Sequence, residues 1–179
     1  MPSKESSSKP DTSDPVADRC GDRRQNRGVQ VSAKADYAVR ALAELAAEGG
    51  GPVKGDRLAS AQQIPAKFLE NILSELRHAG ILYSQRGADG GYWLARPAGE
   101  ITLADVIRAV DGPLANVRGQ RPEMLDYEGA AKRLSEVWIA VRASMRAVLE
   151  VVTLADLVDG PLPQAILDLA LNPEAWQPH

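Results

Sequence analysis

The chain has a single cysteine, Cys20, in 179 residues. An internal disulfide is excluded, and a lone thiol fits a reducing compartment, so a cytoplasmic protein is expected. Its two histidines, His78 and His179, lie far apart and offer no metal-ligand spacing. Aromatics make up only 4% of residues, so aliphatic side chains and alanine must build most of the core. No apolar run approaches the roughly 20 residues of a membrane helix, and the polar amino terminus has no apolar export signal. Neither membrane insertion nor export is expected. Ser60, Ser74 and Ser84 have no usefully placed histidine, and no nucleotide motif is present, so no enzyme is expected. A strong charge of one sign is also missing. The net charge is −3, with six Lys/Arg and five Asp/Glu in residues 1–30, eight and seven in 31–97, and seven and twelve in 98–179. Nucleic-acid binding must therefore rest on local placement of charge rather than on the total.

Residues 1–29 are rich in Ser, Asp, Arg and Pro and nearly devoid of apolar side chains. They cannot offset chain entropy, and a disordered tail is expected. Arg19, Arg23, Arg24 and Arg27 could touch nucleic acid, but a solvated tail is favoured. From Ser32, a suitable N-cap, Ala38, Ala41, Leu42, Leu45 and Ala46 recur at helical spacing until Gly49-Gly50-Gly51-Pro52. A short helix fits 55–62, with Leu58 and Ala59 inward. Pro65 opens a third helix whose buried stripe is Leu69, Ile72, Leu73 and Leu76, and Gly80 stops it. Ile81-Leu82-Tyr83 and Tyr92-Trp93-Leu94, joined by a glycine-rich turn, carry a hairpin signature.

Thr102-Leu103-Ala104-Asp105 matches a capping box, with Leu103, Val106, Ile107 and Val110 inward and Asp111-Gly112-Pro113 as the stop. Residues 114–127 look irregular. A long helix is expected over 128–152, with Leu134, Val137, Trp138, Val141, Met145, Val148, Leu149 and Val152 forming one continuous apolar stripe. Thr153-Leu154-Ala155-Asp156 repeats the capping pattern, Asp159-Gly160-Pro161-Leu162 repeats the stop, and a weak helix follows over 164–171. The chain divides into a tail (1–29), a winged head (30–97), a linker with irregular loop and long helix (98–160), and a short helix with a frayed end (161–179).

The stretch RGADGGYWLARP (86–97) raises the question of what its glycines serve. A P-loop or a dinucleotide-binding turn leads into a helix, whereas these glycines lead into a strand. They are expected to let a hairpin tip turn tightly with positive backbone angles. Three helices followed by a hairpin spell a winged helix-turn-helix, with the third helix in the major groove and the wing beside it. Arg86 then sits at the wing, and a narrow minor groove attracts arginine. A plain surface hairpin is the bland alternative, and the preceding helices favour the wing. Opposite the third helix's buried stripe lie Lys67, Glu70, Asn71, Ser74 and His78. Lysine suits phosphate or guanine, asparagine pairs with adenine, and glutamate accepts from cytosine's amino group; an ordinary solvated face is the alternative. His78, near the helix end, suits the helix dipole better than a metal.

SAKADYAVRAL (32–42), IPAKFLENILSELRHAGIL (64–82), RGADGGYWLARP (86–97) and EITLADVIRAVDGPL (100–114) together resemble the Rrf2 family of bacterial regulators, over roughly residues 30–160. The resemblance implies a mainly α fold: a winged helix-turn-helix DNA-binding domain with a two-stranded wing, plus a long dimerisation helix. It implies a homodimer whose two heads read a palindromic operator in double-stranded DNA. Pro65, Lys67, Phe68 and Glu70, with Asn71 and Ser74 on the same helix, would read the duplex. Arg86, with Gly90, Gly91 and Tyr92, would form the wing contact, and Ser32, Lys34 and Tyr37 fall where the first helix approaches the backbone. Cluster-binding members carry three cysteines in the loop before the long helix. Here that loop is ANVRGQRPEMLDYEG (115–129), with neither cysteine nor histidine. No iron–sulfur cluster, no zinc and no other cofactor is expected.

The chain resembles the cysteine-free branch, in which some members answer to a metabolite or a partner protein. A cleft lined by Arg118, Arg121 and Tyr127 is a place for such a co-regulator. The expected function is sequence-specific transcriptional regulation, as a repressor; a winged-helix protein-interaction module that has lost DNA binding is the second reading. A helix of about 25 residues would be a rod of roughly 37 Å, longer than one head can cover, which points to a second copy.

Overall fold

A computed structural model of the chain describes residues 31–177. The expected tail with its four arginines and Cys20, and also His179, lies outside the described residues. Ser32 caps the first helix by accepting the Ala35 N–H at 2.9 Å, and α1 runs Ala33–Ala47 with Ala35, Ala38, Ala41, Leu42 and Leu45 on its buried face. α2 (Gly55–Gln62) buries Leu58 and Ala59, and Gln63 closes it in the left-handed region. α3 (Ala66–His78) follows Pro65, and its stripe of Leu69, Ile72, Leu73 and Leu76 is buried as expected. Next come β1 (Leu82–Gln85) and β2 (Gly91–Leu94), an antiparallel hairpin with Leu82 opposite Leu94 and Gln85 opposite Gly91. The expected mainly α winged helix-turn-helix is the fold observed.

The wing is held by a third strand position. Val53, between α1 and α2, exchanges both backbone hydrogen bonds with Tyr92, at 2.9 and 2.8 Å. This contact explains Gly91, where a Cβ would lie 2.6 Å from the Val53 carbonyl oxygen, and a Cβ at Gly90 would meet the Gln85 oxygen at 2.3 Å. Of the wing's glycines, Gly87 alone has a positive φ, 115°. The expected tight turn with positive angles therefore holds for Gly87, while Gly90 and Gly91 are needed for the close approach of backbone to backbone.

Beyond the wing the chain returns to the same core. α4 (Leu103–Asp111) and α6 (Leu154–Val158) each open on a capping box, Thr102 with Asp105 and Thr153 with Asp156. The two caps face each other across an antiparallel bridge: the Leu103 N–H donates to the Val152 carbonyl and the Leu154 N–H to the Ile101 carbonyl, both at 3.0 Å. Ile101, Val106, Val110 and Leu154 join the cluster formed by α1, α2 and α3. The core formed before residue 97 thus continues into α4 and α6. Leu103 and Ile107, expected inward on α4, are only partly buried, and Ala104 is buried in their place.

The helix expected over 128–152 is shorter. α5 spans Leu134–Leu149, 16 residues, about 24 Å at the standard rise. Gly129, at φ 61°, opens a 3₁₀ turn (Gly129–Ala131) that keeps the start out of the α-helix. At the far end Thr153 must be extended, at φ −104° and ψ 168°, to cap α6, so Val152 leaves the helix and enters the core. α7 (Gln164–Ala170) closes the ordered elements apart from a final 3₁₀ turn.

Replacing Gly91 by alanine should destabilise the chain by about 1–3 kcal/mol, because the Val53 backbone must move. Gly99→Ala, whose Cβ would meet only the Ala155 methyl at 3.9 Å, should stay within about 0.5 kcal/mol. Urea unfolding midpoints of the two variants check this.

Candidate nucleic-acid interface

The start of α3 presents Pro65, Lys67, Phe68, Glu70 and Asn71 outward, with Ser74 half-buried behind them. Lys67 is 89% exposed and pairs with Glu70 one turn on, at 3.1 Å. Phe68 is 42% exposed yet fixed in place. Tyr37 of α1 packs edge-on against it, with centroids 5.7 Å apart and planes at 83°. Arg40 lies over the Tyr37 ring at 5.5 Å and donates to the Gln62 side-chain oxygen at 3.1 Å and to Asp36 at 3.2 Å. One arginine thereby joins α1, α2 and the aromatic pair at the mouth of α3. Its signal in the sequence was only its position three residues after Tyr37.

Ser32 and Lys34 each make bonds within the head. The Ser32 hydroxyl, besides capping α1, donates to the Asp111 carboxylate. Lys34 donates to the Val110 carbonyl at 2.7 Å and pairs with Glu75 of α3. Both side chains staple α1 to the end of α4, so their polar atoms are engaged within the head. Tyr37 likewise acts on the exposed face through Phe68.

On the wing, residues 85–89 are exposed. Arg86 has no ion-pair or hydrogen-bond partner among the described residues and faces solvent. Gly90 and Gly91 are buried, and Tyr92 packs against the core. Of these four residues, Arg86 is the one that presents a side chain outward. His78 bonds the carbonyl of Ser74, one turn back on its own helix, at 2.7 Å, which fits the helix-end role expected for it.

The three residues expected around a ligand cleft are placed as follows. Arg118 lies over the Tyr127 ring at 5.8 Å, while Arg121 lines a separate cavity with Arg108, Arg142 and Arg146.

Residues 31–160 match the Rrf2 family, described as an iron-dependent transcriptional regulator. A helix-turn-helix transcriptional regulator of Mycobacterium tuberculosis, Rv1287, is 52% identical over 143 residues, which cover 79% of this chain and 89% of that protein. The transcriptional regulator CymR of Bacillus subtilis is 38% identical over 130 residues, 72% of this chain and 89% of CymR. Among solved structures, CymR, titled the global cysteine regulator of B. subtilis, superposes with a TM-score of 0.61 at 37% identity, covering 73% of this chain and 96% of that one. IscR of T. potens gives 0.58 at 33% identity, covering 85% and 94%. These relatives are named as regulators, a class without catalysis, in line with the absence of a nucleophile–base pair in the sequence.

Iron held as a cluster needs thiolates. The described residues contain no cysteine and no group of three or more His, Cys, Asp or Glu placed to hold an ion. The loop 115–129 supplies only Glu123, Asp126 and Glu128, and Glu123 is already paired with Arg142. This donor set does not fit an iron–sulfur cluster.

Lys34→Ala should lower stability by about 1 kcal/mol, since it removes a bond to a carbonyl and leaves Glu75 unpaired. A urea titration of the variant measures it.

Proposed function

The chain belongs to the Rrf2 family of transcriptional regulators, and from that premise we propose that it is a homodimeric repressor whose two winged heads read the half-sites of a palindromic operator. The observation that carries this reading is the pairing of two outward features on one core: the exposed start of α3 and the exposed Arg86 of the wing, which has no partner among the described residues. Inserted in a major groove, Asn71 offers the donor–acceptor pair that adenine matches, Glu70 an acceptor for cytosine's amino group, and Phe68 an apolar edge for a thymine methyl. Lys67 can leave Glu70 for a phosphate at little cost, because both are well exposed. Arg86 is the candidate for the narrow minor groove beside the wing. Tyr37 steadies Phe68, while Gly90, Gly91 and Tyr92 shape the wing.

Support for the second copy comes from α5. None of its 16 residues is buried in the single chain. Val137 is 51% exposed, and Trp138, Val141, Met145, Val148 and Leu149 are only half-buried despite their continuous apolar stripe. The shorter helix weakens the inference from length, and exposure replaces it. An isologous pair of such stripes buries both and sets the two heads about one two-fold axis, which matches a palindrome. No cluster is used.

Arg86→Ala should weaken binding to the operator by about 1–3 kcal/mol. If the lost contact is to phosphate, the salt slope should also flatten by about one unit. Fluorescence anisotropy at several salt concentrations reads both, and an unchanged affinity at fixed salt removes the wing from the interface. A wild-type chain that fails to bind its promoter against competitor DNA favours an interaction module instead. Val141→Glu should turn a dimer into a monomer in light scattering. A monomeric wild type at micromolar concentration overturns the assembly.

A further inference from the structure

We propose that the cavity between α4, the loop before α5 and α5 itself binds a small polyanion, a molecule bearing two or more phosphate or carboxylate groups. The cavity has a volume of about 440 Å³ and is lined by Arg108 of α4, Arg121 of the loop, and Arg142 and Arg146 of α5, with Leu114 and Glu123. Its size lies within the range of small-molecule sites.

The concentration of charge runs against the composition. Residues 98–179 carry only seven Lys/Arg against twelve Asp/Glu, yet four of those seven basic residues line this one cavity. Arginine cannot shed its proton to relieve the repulsion, so carboxylates must offset it. Glu123 accepts from Arg142. Glu150 accepts from Arg108 and, at 2.9 Å, from Arg146. Asp105 is divided between Arg108 at 3.8 Å and Arg96, outside the cavity, at 3.7 Å. Arg121 has no ion pair among the described residues. Four guanidinium groups of the cavity meet three carboxylates, one of which, Asp105, is shared with Arg96 outside it, so positive charge is in surplus.

The carboxyls of Glu123 and Glu150, beside these arginines, are both lowered. Glu150 is held below the usual carboxylate range by hydrogen bonds from Arg146 and Arg108. Glu123 is lowered first by a backbone hydrogen bond and then by Arg142 and Arg121. A ligand with two oxyanion groups would neutralise the surplus, and the planar forks of arginine suit phosphate and carboxylate oxygens alike.

The place of the cavity gives binding a consequence. Arg108 belongs to a helix packed on α1 in the head, whereas Arg142 and Arg146 belong to α5. A bridging anion would fix the angle between them. That consequence rests on the dimeric repressor proposed above, but the binding itself does not.

Isothermal titration calorimetry on the full chain, without DNA and at constant ionic strength, tests the site with inorganic pyrophosphate and with citrate as probes. Saturable binding of either at one per chain is expected. Arg121→Gln, which strands no carboxylate, should weaken it by roughly tenfold or more, the equivalent of about 1.4 kcal/mol, while Arg118→Gln on the same loop leaves it unchanged. Pyrophosphate alone binding identifies a phosphorylated ligand, and citrate alone a polycarboxylate. The site is overturned if neither probe saturates at millimolar concentration, or if Arg118→Gln weakens binding as much as Arg121→Gln. Failure to bind operator DNA would count against the regulator reading only, because no DNA enters this titration.

Discussion

Three alanines on one face of α1 set the spacing of the whole head. Ala35, Ala38 and Ala41 are essentially inaccessible to solvent, and α2, α3, α4 and α6 all pack against the helix that carries them. Methyl side chains let helix backbones approach closely, and such an interior has little room to accommodate a larger group. The scarcity of aromatics noted in the sequence is the same fact seen in composition. A core of alanine, leucine, isoleucine and valine is thin, so the outward residues of α3 and of the wing sit a short, stiff distance from a common reference.

Polar ties at the edge of that core complete the positioning. Ser32 and Lys34 hold the start of α1 to the end of α4, and the backbone bridge at Thr102 and Thr153 holds the start of α4 to the start of α6. The Asp156 carboxyl is lowered by the backbone N–H of Thr153 and then by its hydroxyl. A depressed carboxylate contributes stability at neutral pH that is lost as pH falls through its folded-state value. Glu123 is shifted the same way by a backbone hydrogen bond and then by Arg142, and Glu150 by hydrogen bonds from Arg146 and Arg108. Acid therefore loosens the contacts around α5 and α6, while the apolar core is indifferent to it.

Much of this was legible in the sequence, for identifiable reasons. The bounds of α2, the stripe of α3 and both capping boxes follow from periodicity and from the reach of a Thr or Asp side chain, which are local properties. The Val53 strand position was not legible, because a single paired residue has no period to read. Two glycines of the wing looked like turn glycines but serve close packing against Val53 and Gln85, which depends on chain segments distant from the tip or on the turn's closure. The length of α5 was overestimated because an apolar stripe does not reveal that Gly129 adopts positive φ, or that Val152 is claimed by the head. The exposed start of α3 and the exposed Arg86 could be read from pattern and resemblance. The bonds that Ser32 and Lys34 make within the head could not, since their partners, Asp111, Val110 and Glu75, lie on other helices far along the chain.

The paired caps at Thr102 and Thr153 have a mechanical corollary. The chain from Leu103 to Val152, with α4 and α5 in it, is a closed loop whose two ends are joined by two backbone hydrogen bonds. Torque applied along α5 therefore reaches α4 and α6 together, both packed on α1. The head must turn as a unit, like a key gripped by its bow.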